Sequence, residues 1–264
     1  MILVSGATGT IGSALVRELL ARDLEVIALT RDPARIEPRP GLTVTTEVRP
    51  ADAFFLLSPA GPAGSAIDRT LLEAAVQAGA GRVVKLSAIG TPDEPDPGSV
   101  FAWHQPGEHA VRESGVPWTI LRPTVFASNT LAWAADIRAG RPIANLFGDG
   151  RQGVIDPADI AAVAATALTE PGHDGRLYTL TGPELISLPE QVAQLAEVLG
   201  VPLSTVDVTP TAELFPPELA EVALRGAELV RAGGNAIVTA DTEAVLGRPA
   251  RTYRAWAAAN RERF

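Results

Sequence analysis

The sequence predicts an α/β fold with a doubly wound parallel sheet, and three observations lead to this class. Short apolar runs recur along the first half of the chain and alternate with amphipathic stretches of helical spacing. These runs are nearly continuous, which is typical of parallel strands covered on both faces. The first run is joined to the first helix by a glycine-rich turn. With 264 residues, the chain suits one large domain of this kind.

The composition narrows the range of partners and chemistry. The formal net charge is −9, so we expect no nucleic-acid surface and no electrostatic docking on a membrane. Cysteine is absent, which removes disulfides and thiolate chemistry, and we expect no metal site. We expect no leader before the first strand, and no apolar run approaches the roughly 20 residues of a membrane span. We therefore expect a cytoplasmic protein that acts on a small molecule.

The opening strand, turn and helix form the most informative motif. The apolar run Met1–Ser5 ends at Gly6, and helical spacing begins at Ser13. Gly6 permits the turn, Gly9 removes a side chain that would block a pyrophosphate, and Gly12 lets helix and strand approach closely. The helix N-terminus offers free amides to an anion. The corner predicts a Rossmann-like dinucleotide site, with an unoccupied tight turn as the alternative.

The residue after the second strand bears on the choice of coenzyme. Glu25–Thr30 is that strand, and a right-handed crossover brings its end beside the glycine turn. An acidic residue there would bind a ribose 2′-hydroxyl, whereas the guanidinium of Arg31 suits a 2′-phosphate. We therefore expect NADP(H) rather than NAD(H). The alternative is that Arg31 only pairs with Asp32.

The stretch between the second and fourth strands is shortened. Leu42–Val48 alternates like a strand, and Ala53–Leu57 is the buried fourth strand. The link of about four residues between them spans at most about 14 Å. It can hold no crossover helix and is too short to return the chain to the start of a parallel strand. We therefore expect a missing helix and a Leu42–Val48 segment that is irregular or antiparallel to the first strand.

The remaining pattern continues the sheet and then weakens. Up to Thr124 it predicts a helix near 66–78, a fifth strand at Arg82–Ser87, a helix near 100–114 and a sixth strand at Trp118–Arg122. Later it predicts a helix opening near Asp156, a strand at Leu177–Leu180, a helix with the capping box Ser187–Glu190, and an amphipathic candidate lid at Pro216–Ala232. We expect one domain over residues 1–264, with a small C-terminal substrate-binding lobe formed mainly by about 126–150 and 182–250.

Several motifs together resemble the atypical, NmrA-like branch of the extended short-chain dehydrogenase/reductase family. They are Gly6–Gly12, Thr30–Arg31, Val84–Gly90, His104 with Glu108, Ser114–Gly115, Thr119–Pro123, and Phe126 with Asn129. The resemblance covers nearly the whole chain and implies a Rossmann fold that binds NAD(P)(H). Such proteins include quinone reductases, ketone and imine reductases, and redox sensors without turnover, so the resemblance leaves the activity open.

The chain departs from that family at the catalytic positions. The resemblance places the usual tyrosine at Val100, the lysine at His104 and the carbonyl-polarising serine near Ile89. The usual Ser/Tyr/Lys triad is therefore absent. A proton could instead come from His104, Thr91 or Ser87, from water, or from a phenolic substrate.

His104 has two other interpretations, cofactor positioning and helix packing beside Trp103. Glu108, one helical turn away, is expected to orient His104 or the helix. The catalytic candidates are His104, Ser87 and Thr91. The expected cofactor contacts are Gly6, Thr8, Gly9, Thr10, Ile11, Gly12, Arg31, Leu57, Ser58, Ser87, Ala88, His104, Pro123, Thr124 and Val125. The expected substrate contacts are Phe126, Asn129, Trp133, Leu214 and Phe215.

These observations favour an NADPH-dependent oxidoreductase, either a ketoreductase or a quinone reductase. We expect hydride transfer to a ketone or quinone carbonyl of a hydrophobic, aromatic, polyketide-like molecule, as in the tailoring of polyketide antibiotics. Such an acceptor needs little enzymic help because its reduced anion is delocalised. The alternatives are a catalytically silent NADP(H)-binding redox-sensing regulator and a nucleotide-sugar epimerase or dehydratase. We expect a monomer or homodimer.

Overall fold

The computed structural model describes residues 1–59, 61–94, 96, 99–215, 217 and 220–264. Within this part the strands are β1 (Ile2–Val4), β2 (Val26–Leu29), β3 (Leu42–Thr45), β4 (Ala53–Leu56), β5 (Val83–Leu86), β6 (Trp118–Pro123), β7 (Ile143–Asn145), β8 (Arg151–Gly153), β9 (Arg176–Leu180), β10 (Leu185–Ser187) and β11 (Thr205–Asp207). The α-helices are α1 (Thr10–Ala21), α2 (Pro62–Gln77), α3 (Gln105–Arg112), α4 (Ala134–Arg138), α5 (Pro157–Thr169), α6 (Leu188–Leu199), α7 (Ala220–Arg231), α8 (Asp241–Leu246) and α9 (Tyr253–Ala259). The chain forms two compact units, residues 1–123 with 157–180 and residues 124–156 with 181–264.

A seven-stranded sheet forms the centre of the first unit. Its strands lie in the order β3-β2-β1-β4-β5-β6-β9, and every neighbouring pair is parallel. The order runs outward from β1 in both directions, so the sheet is doubly wound. The carboxyl ends of β1 and β4 meet where the direction changes, which is where open α/β sheets bind their ligands. The predicted α/β, Rossmann-like fold class is confirmed.

Helices cover this sheet. Leu3 and Phe54 pack with Leu72 of α2 and Val111 of α3 in one cluster of buried residues. Helices α1 and α5 pack against each other, and α5 also contacts β4, β5 and β6. All four residues of Ala53–Leu56 are buried, which explains why the strands carry continuous apolar runs instead of alternating ones.

The predicted direction of the third strand is wrong. β3 pairs in parallel with β2, from Leu42 opposite Val26 to Thr45 opposite Leu29, and β2 is parallel to β1. The strand ends at Thr45, so residues 46–52 are all available as a link to β4. An extended link of this length spans roughly 23 Å. The end of β3 and the start of β4 are separated by roughly 14 Å across three strand spacings and roughly 13 Å along a short strand. The diagonal of these two distances is about 19 Å, which the link can span.

The expected shortening between the second and fourth strands is confirmed. Residues 46–52 are all described by the structure, and none of them is helical. Val48 and Ala51 instead pack against the buried cluster that contains Leu3 and Phe54. The link therefore covers the part of the sheet face that a crossover helix covers in a full doubly wound fold.

The second unit has its own core and two short sheets. β8 pairs with β10 antiparallel and β7 with β11 in parallel. Tyr253 and Trp256 of α9 pack with Leu195 of α6 in a buried cluster. The predicted capping box is confirmed at Ser187 and Glu190, where each side chain binds the other residue's backbone N–H.

The amphipathic segment predicted at Pro216–Ala232 corresponds to α7. The helix covers Ala220–Arg231, whereas residues 216, 218 and 219 lie outside the described residues. A role for this helix as a lid stays a prediction. Across the described residues, no helix has the length and apolar character needed to cross a membrane.

Candidate functional site

The corner after β1 is held by a buried serine hydroxyl. Ser5 Oγ lies 3.1 Å from the carbonyl oxygen of Phe55 and 3.0 Å from that of Leu57, and it accepts the Leu57 N–H at 2.8 Å. These bonds tie the carboxyl end of β1 to that of β4. The chain then turns at Gly6, whose φ of +63° lies in the left-handed region that favours glycine.

The structure separates the roles of two glycines in the turn. A Cβ on Gly12 would lie 2.1 Å from the Gly6 carbonyl oxygen, so the turn itself requires glycine there. A Cβ on Gly9 would meet only that same oxygen, at 3.3 Å, and could be accommodated by a small shift. The protein alone therefore explains Gly12, whereas Gly9 keeps space open for something outside the chain.

Helix α1 begins beside this open space. Its N-cap is Gly9, which has no side chain to cap the first turn of the helix. The first amides of a helix have no intrahelical acceptor and carry the positive end of the helix dipole. Thr10, Ile11 and Gly12 therefore present backbone N–H groups suited to a diphosphate. The residues present fit a dinucleotide at this corner.

A groove beside the glycine turn adds residues that the sequence analysis missed. It has a volume of about 350 Å³ and is lined by Thr8, Arg17, Arg35 and Arg39, among others. Arg39 lies 3.8 Å from the carboxylate of Glu37, which also lines the groove. The recurrence of arginine every four residues at positions 31, 35 and 39 is the signal that could have identified the later two.

Arg31, the residue predicted to bind a 2′-phosphate, follows β2 and is exposed. Within the described part of the chain it forms no ion pair, and its neighbour Asp32 binds the Thr30 hydroxyl through its backbone N–H at 3.2 Å. The alternative that Arg31 only pairs with Asp32 is therefore not seen. Arg31 keeps a cation available beyond the end of β2.

The structure gathers most of the other predicted cofactor residues along one edge. Leu57 and Ser58 follow β4, Ser87 and Ala88 follow β5, and Pro123 ends β6. These strands are adjacent and parallel, so their carboxyl ends line the same edge of the sheet as the glycine turn. Thr124 and Val125 belong to the second unit, and their place in the cofactor site stays a prediction.

The hydroxyls of Ser87 and Thr91 belong to a buried ionic network. Ser87 Oγ donates to Glu108 Oε1 at 2.5 Å and lies 3.1 Å from Thr91 Oγ1, which also reaches the Ala88 carbonyl at 2.8 Å. Both hydroxyls are buried. Their protons are therefore engaged inside the protein, and proton donation to a substrate by either one stays a prediction.

Glu108 is the centre of that network. Its side chain is fully buried and binds Arg122 at both carboxylate oxygens (2.8 Å each) and Arg112 at 2.9 Å. Burial alone would raise the pKa of Glu108, but hydrogen bonds from Arg122 and Ser87 and the two guanidinium charges hold it below its usual value. Glu108 was expected to orient either His104 or the helix. These contacts orient the helix, because they fix α3 to β5 and β6.

A second buried ion pair lies on the same side of β5. Lys85 Nζ is 2.5 Å from Asp68 Oδ2, and both side chains are almost completely buried. The other carboxylate oxygen of Asp68 accepts the Ser58 hydroxyl at 2.5 Å. No sequence motif identified Lys85 or Asp68 as a site residue, although Lys85 is the single lysine in the chain.

His104 precedes α3 and lines a small cavity together with Ser58, Asp68 and Lys85. Burial, followed by the positive charge of Lys85, lowers the pKa of His104 to about 4, although Asp68 and Glu108 act in the opposite direction. The imidazole is therefore neutral at pH 7. Catalysis or cofactor binding through a neutral imidazole N–H stays a prediction.

The chain has two tyrosines, Tyr178 and Tyr253. Tyr178 lies in β9, and its hydroxyl is 2.9 Å from Nδ1 of His173, which lies three residues before the strand begins. Tyr253 lies in the core of the second unit, where burial raises the pKa of its phenol. The absence of the usual Ser/Tyr/Lys triad stays a prediction.

The predicted substrate residues all lie in the second unit. Phe126 is half-buried beside Ile155, and Asn129 is exposed one turn later. Trp133 packs against the cores of this unit. Leu214 is exposed and Phe215 half-buried, at the end of a short 3₁₀ segment that contacts α7. Their contact with a substrate stays a prediction.

Comparison with known proteins gives consistent matches. Residues 6–171 match a family described as NAD(P)H-binding. The chain is 41% identical, over 285 aligned positions covering 100% of it and 99% of the relative, to the (4-alkanoyl-5-oxo-2,5-dihydrofuran-3-yl)methyl phosphate reductase of Streptomyces griseus. It is 34% identical to the NAD(P)H azoreductase of Xenophilus azovorans, with the same coverage.

A solved structure shares the fold. It is the NADPH-dependent quinone oxidoreductase QOR2 of Escherichia coli in complex with NADPH, which superposes with a TM-score of 0.83. The match covers 98% of this chain and 99% of that one, at 23% sequence identity.

Substitutions of Gly12 and Gly9 should have different effects. Gly12→Ala should destabilise the fold strongly, because its Cβ would meet the Gly6 carbonyl oxygen at 2.1 Å. Gly9→Ala should keep a melting temperature within a few degrees of wild type but weaken NADPH binding at least about 10-fold. Thermal melts and coenzyme titrations measure both effects. A well-folded Gly9→Ala variant with wild-type affinity would show that the turn holds no diphosphate.

Glu108→Gln should lower stability at neutral pH by about 3 kcal/mol, because it leaves two partly buried guanidinium groups without their buried carboxylate. The folded-state pKa of Glu108 lies below its ordinary value of 4.5. Its contribution is therefore complete above that value and is lost as the pH falls through the folded-state pKa. Urea unfolding of both proteins from pH 7 to pH 3 should show the difference shrinking. Glu113→Gln, an exposed change on the segment after α3, is the control and should have little effect.

Proposed function

The chain belongs to the NAD(P)H-binding family and is an NAD(P)H-dependent oxidoreductase, and we propose that it uses NADPH to reduce a ketone or quinone carbonyl of a hydrophobic, aromatic small molecule. The single observation that carries the cofactor half of this proposal is the open space at Gly9 beside the uncapped N-terminus of α1. It is the geometry that a diphosphate requires.

The preference for NADPH is supported by the cations beside the turn. Arg31 follows β2, and Arg17 and Arg35 line the groove next to Thr8. A 2′-phosphate carries negative charge that these guanidinium groups can bind through paired hydrogen bonds, whereas the 2′-hydroxyl of NADH cannot use them.

The acceptor half of the proposal is supported by the names of the relatives. One is named for an oxo-dihydrofuran, one for reduction of azo compounds and one for a quinone. All three groups are conjugated and electron-poor, so the charge left by an added hydride is delocalised. That chemistry agrees with a site whose Ser87 and Thr91 hydroxyls are engaged in the Glu108 network and which lacks the usual tyrosine.

The residues in this chain have defined tasks in such a reaction. Bound NADPH supplies the hydride. The amides of α1 and the arginines beside them bind and orient the coenzyme, and His104, as a neutral imidazole, can hydrogen-bond it without adding charge. We assign Phe126, Asn129, Trp133, Leu214 and Phe215 of the second unit to substrate binding.

The two alternatives receive less support. A catalytically silent regulator would agree with the missing tyrosine, but the relatives that match the whole chain are named reductases. A nucleotide-sugar epimerase or dehydratase depends on the same tyrosine, and neither Tyr178 nor Tyr253 lies at the expected position.

A panel of acceptors tests the proposal. The purified protein is mixed with NADPH and with quinones, polycyclic ketones, azo compounds and unsaturated lactones, and the loss of NADPH absorbance is followed. We expect the highest kcat/KM with an aromatic quinone or ketone. Preference for an azo compound or a lactone would contradict the assigned acceptor, and saturable NADPH binding without oxidation by any acceptor would favour the regulator.

Arginine variants test the choice of coenzyme. Arg31→Ala and Arg35→Ala should each raise the dissociation constant for NADPH about 10-fold, because each removes a charge-assisted contact with the 2′-phosphate. The affinity for NADH should change less than about 2-fold. Arg49→Ala, which removes an exposed guanidinium paired with Glu47, is the matched control. Equal losses for both coenzymes in the Arg31 and Arg35 variants would contradict recognition of the 2′-phosphate.

A further inference from the structure

We propose that Lys85, Asp68 and Ser58 form a proton relay that supplies the proton needed when the hydride acceptor is reduced. This inference rests on the function proposed above. It assigns a task to a buried ion pair that neither cofactor binding nor the missing triad explains.

Lys85 is unusual in this chain because it is the single lysine. The chain has 22 lysine and arginine residues together, and the other 21 are arginine. A guanidinium stays protonated at every pH a protein tolerates, whereas an amine can release a proton and take it up again. The side chain of Lys85 is only 1% exposed, so surface solubility does not explain it. Its position favours a function that needs a releasable proton.

The contacts of Asp68 connect this amine to the edge of the sheet. One carboxylate oxygen lies 2.5 Å from Lys85 Nζ, and the other accepts the Ser58 hydroxyl at 2.5 Å. Ser58 is half-buried and follows β4 on the edge that carries the glycine turn. A single carboxylate therefore bridges a buried ammonium group and a hydroxyl at the predicted cofactor edge.

Helix α3 closes the other side of the ion pair. A Cβ on Gly107 would lie 2.4 Å from Asp68 Oδ2 and 2.8 Å from Lys85 Cε, so the helix backbone packs directly on the pair. The small cavity beside Lys85 is lined by Ser58, Asp68 and His104, among others. The open side of the pair thus faces Ser58 and His104, and the closed side faces α3.

The relay supplies the one proton that reduction of a carbonyl by hydride requires. The acceptor carbon gains a hydride from NADPH, and the carbonyl oxygen keeps the electron pair of the broken π bond. The Ser58 hydroxyl turns away from Asp68 and gives its proton to that oxygen. Asp68 takes a proton from the Lys85 ammonium and, after its carboxyl group rotates, returns one to the Ser58 oxygen. Lys85 then regains a proton from solvent, so each turnover consumes one proton and one NADPH.

A purely structural ion pair is the competing explanation. A buried pair costs desolvation energy, and apolar residues of similar size often replace it without loss of stability. If the pair only supported the fold, its removal would slow the reduction of every acceptor to the same extent. A relay instead affects only those acceptors whose reduction requires a proton, and this difference makes the two explanations separable.

The experiment compares two acceptors in the same enzyme. One is the best neutral carbonyl acceptor of the panel, which needs a hydride and a proton. The other is a cationic triarylmethane dye, which becomes a neutral product on gaining a hydride alone. In Ser58→Ala and in the double variant Asp68→Asn with Lys85→Met, the ratio of carbonyl kcat to dye kcat should fall about 100-fold. The double variant removes both charges, so no unpaired ion is left buried.

Thr70→Ala is the matched control, because it removes an exposed hydroxyl from the same helix that carries Asp68. Its ratio should equal that of wild type. Isotope effects on the carbonyl reaction give a second measurement, which needs no dye and requires only that Ser58→Ala folds. In that variant the solvent deuterium effect on kcat should increase and the effect of deuterated NADPH should decrease, because proton transfer becomes rate-limiting.

The outcomes distinguish the relay from the function on which it rests. Equal loss with both acceptors, or isotope effects unchanged from wild type, would overturn the relay and leave the reductase intact. If none of the acceptors supported NADPH oxidation by the wild-type enzyme, the proposed function and the relay would both be overturned. A selective loss of carbonyl reduction in both variants supports the relay.

Discussion

The close approach of helix α1 to the turn after β1 is the constraint on which the site depends. Gly12 permits it, because any side chain there would collide with the Gly6 carbonyl oxygen. The approach places the uncapped first turn of α1 next to the carboxyl ends of β1 and β4, where Ser5 joins the two strands. An anion at that position meets backbone N–H groups that folding has already ordered, so binding requires little rearrangement.

Strand β5 supplies the second organising feature. Residues two apart on a strand face the same side, and Lys85 and Ser87 both contact side chains of the helices that cover that side. Lys85 binds Asp68 of α2, and Ser87 binds Glu108 of α3. The cluster around Val83 is apolar, whereas the carboxyl end of the strand carries buried charges. The buried ionic groups therefore lie close to the predicted cofactor edge, whereas the sheet around Val83 packs against apolar side chains.

The sequence predicted the features that local rules determine. Apolar runs located the sheet strands, the glycine spacing located the corner, and the capping box located α6. The resemblance to the NmrA-like branch is confirmed at the level of the NAD(P)H-binding family. The predicted direction of β3 was wrong because it rested on the length of the link to β4. That length depends on where β3 ends, and an alternating pattern defines strand ends poorly. Three extra residues of link at 46–48 were enough to reverse the conclusion.

The side-chain network could not be read from the sequence. Glu108 lies 21 residues from Ser87 and 14 from Arg122, and only the packing of α3 on β5 and β6 brings them together. The pKa of His104 likewise depends on burial and on Lys85, which no local pattern reveals. Two signals were present but unused, namely the single lysine and the arginines spaced every four residues.

Calorimetric titration of the purified protein with NADPH, followed by competition with 2′,5′-ADP and with 5′-AMP, tests the central claim most directly. We expect saturable binding of one NADPH per chain, displaced by 2′,5′-ADP at much lower concentration than by 5′-AMP. Absence of saturable heat with NADPH would contradict the claim that the corner between β1 and α1 holds the coenzyme.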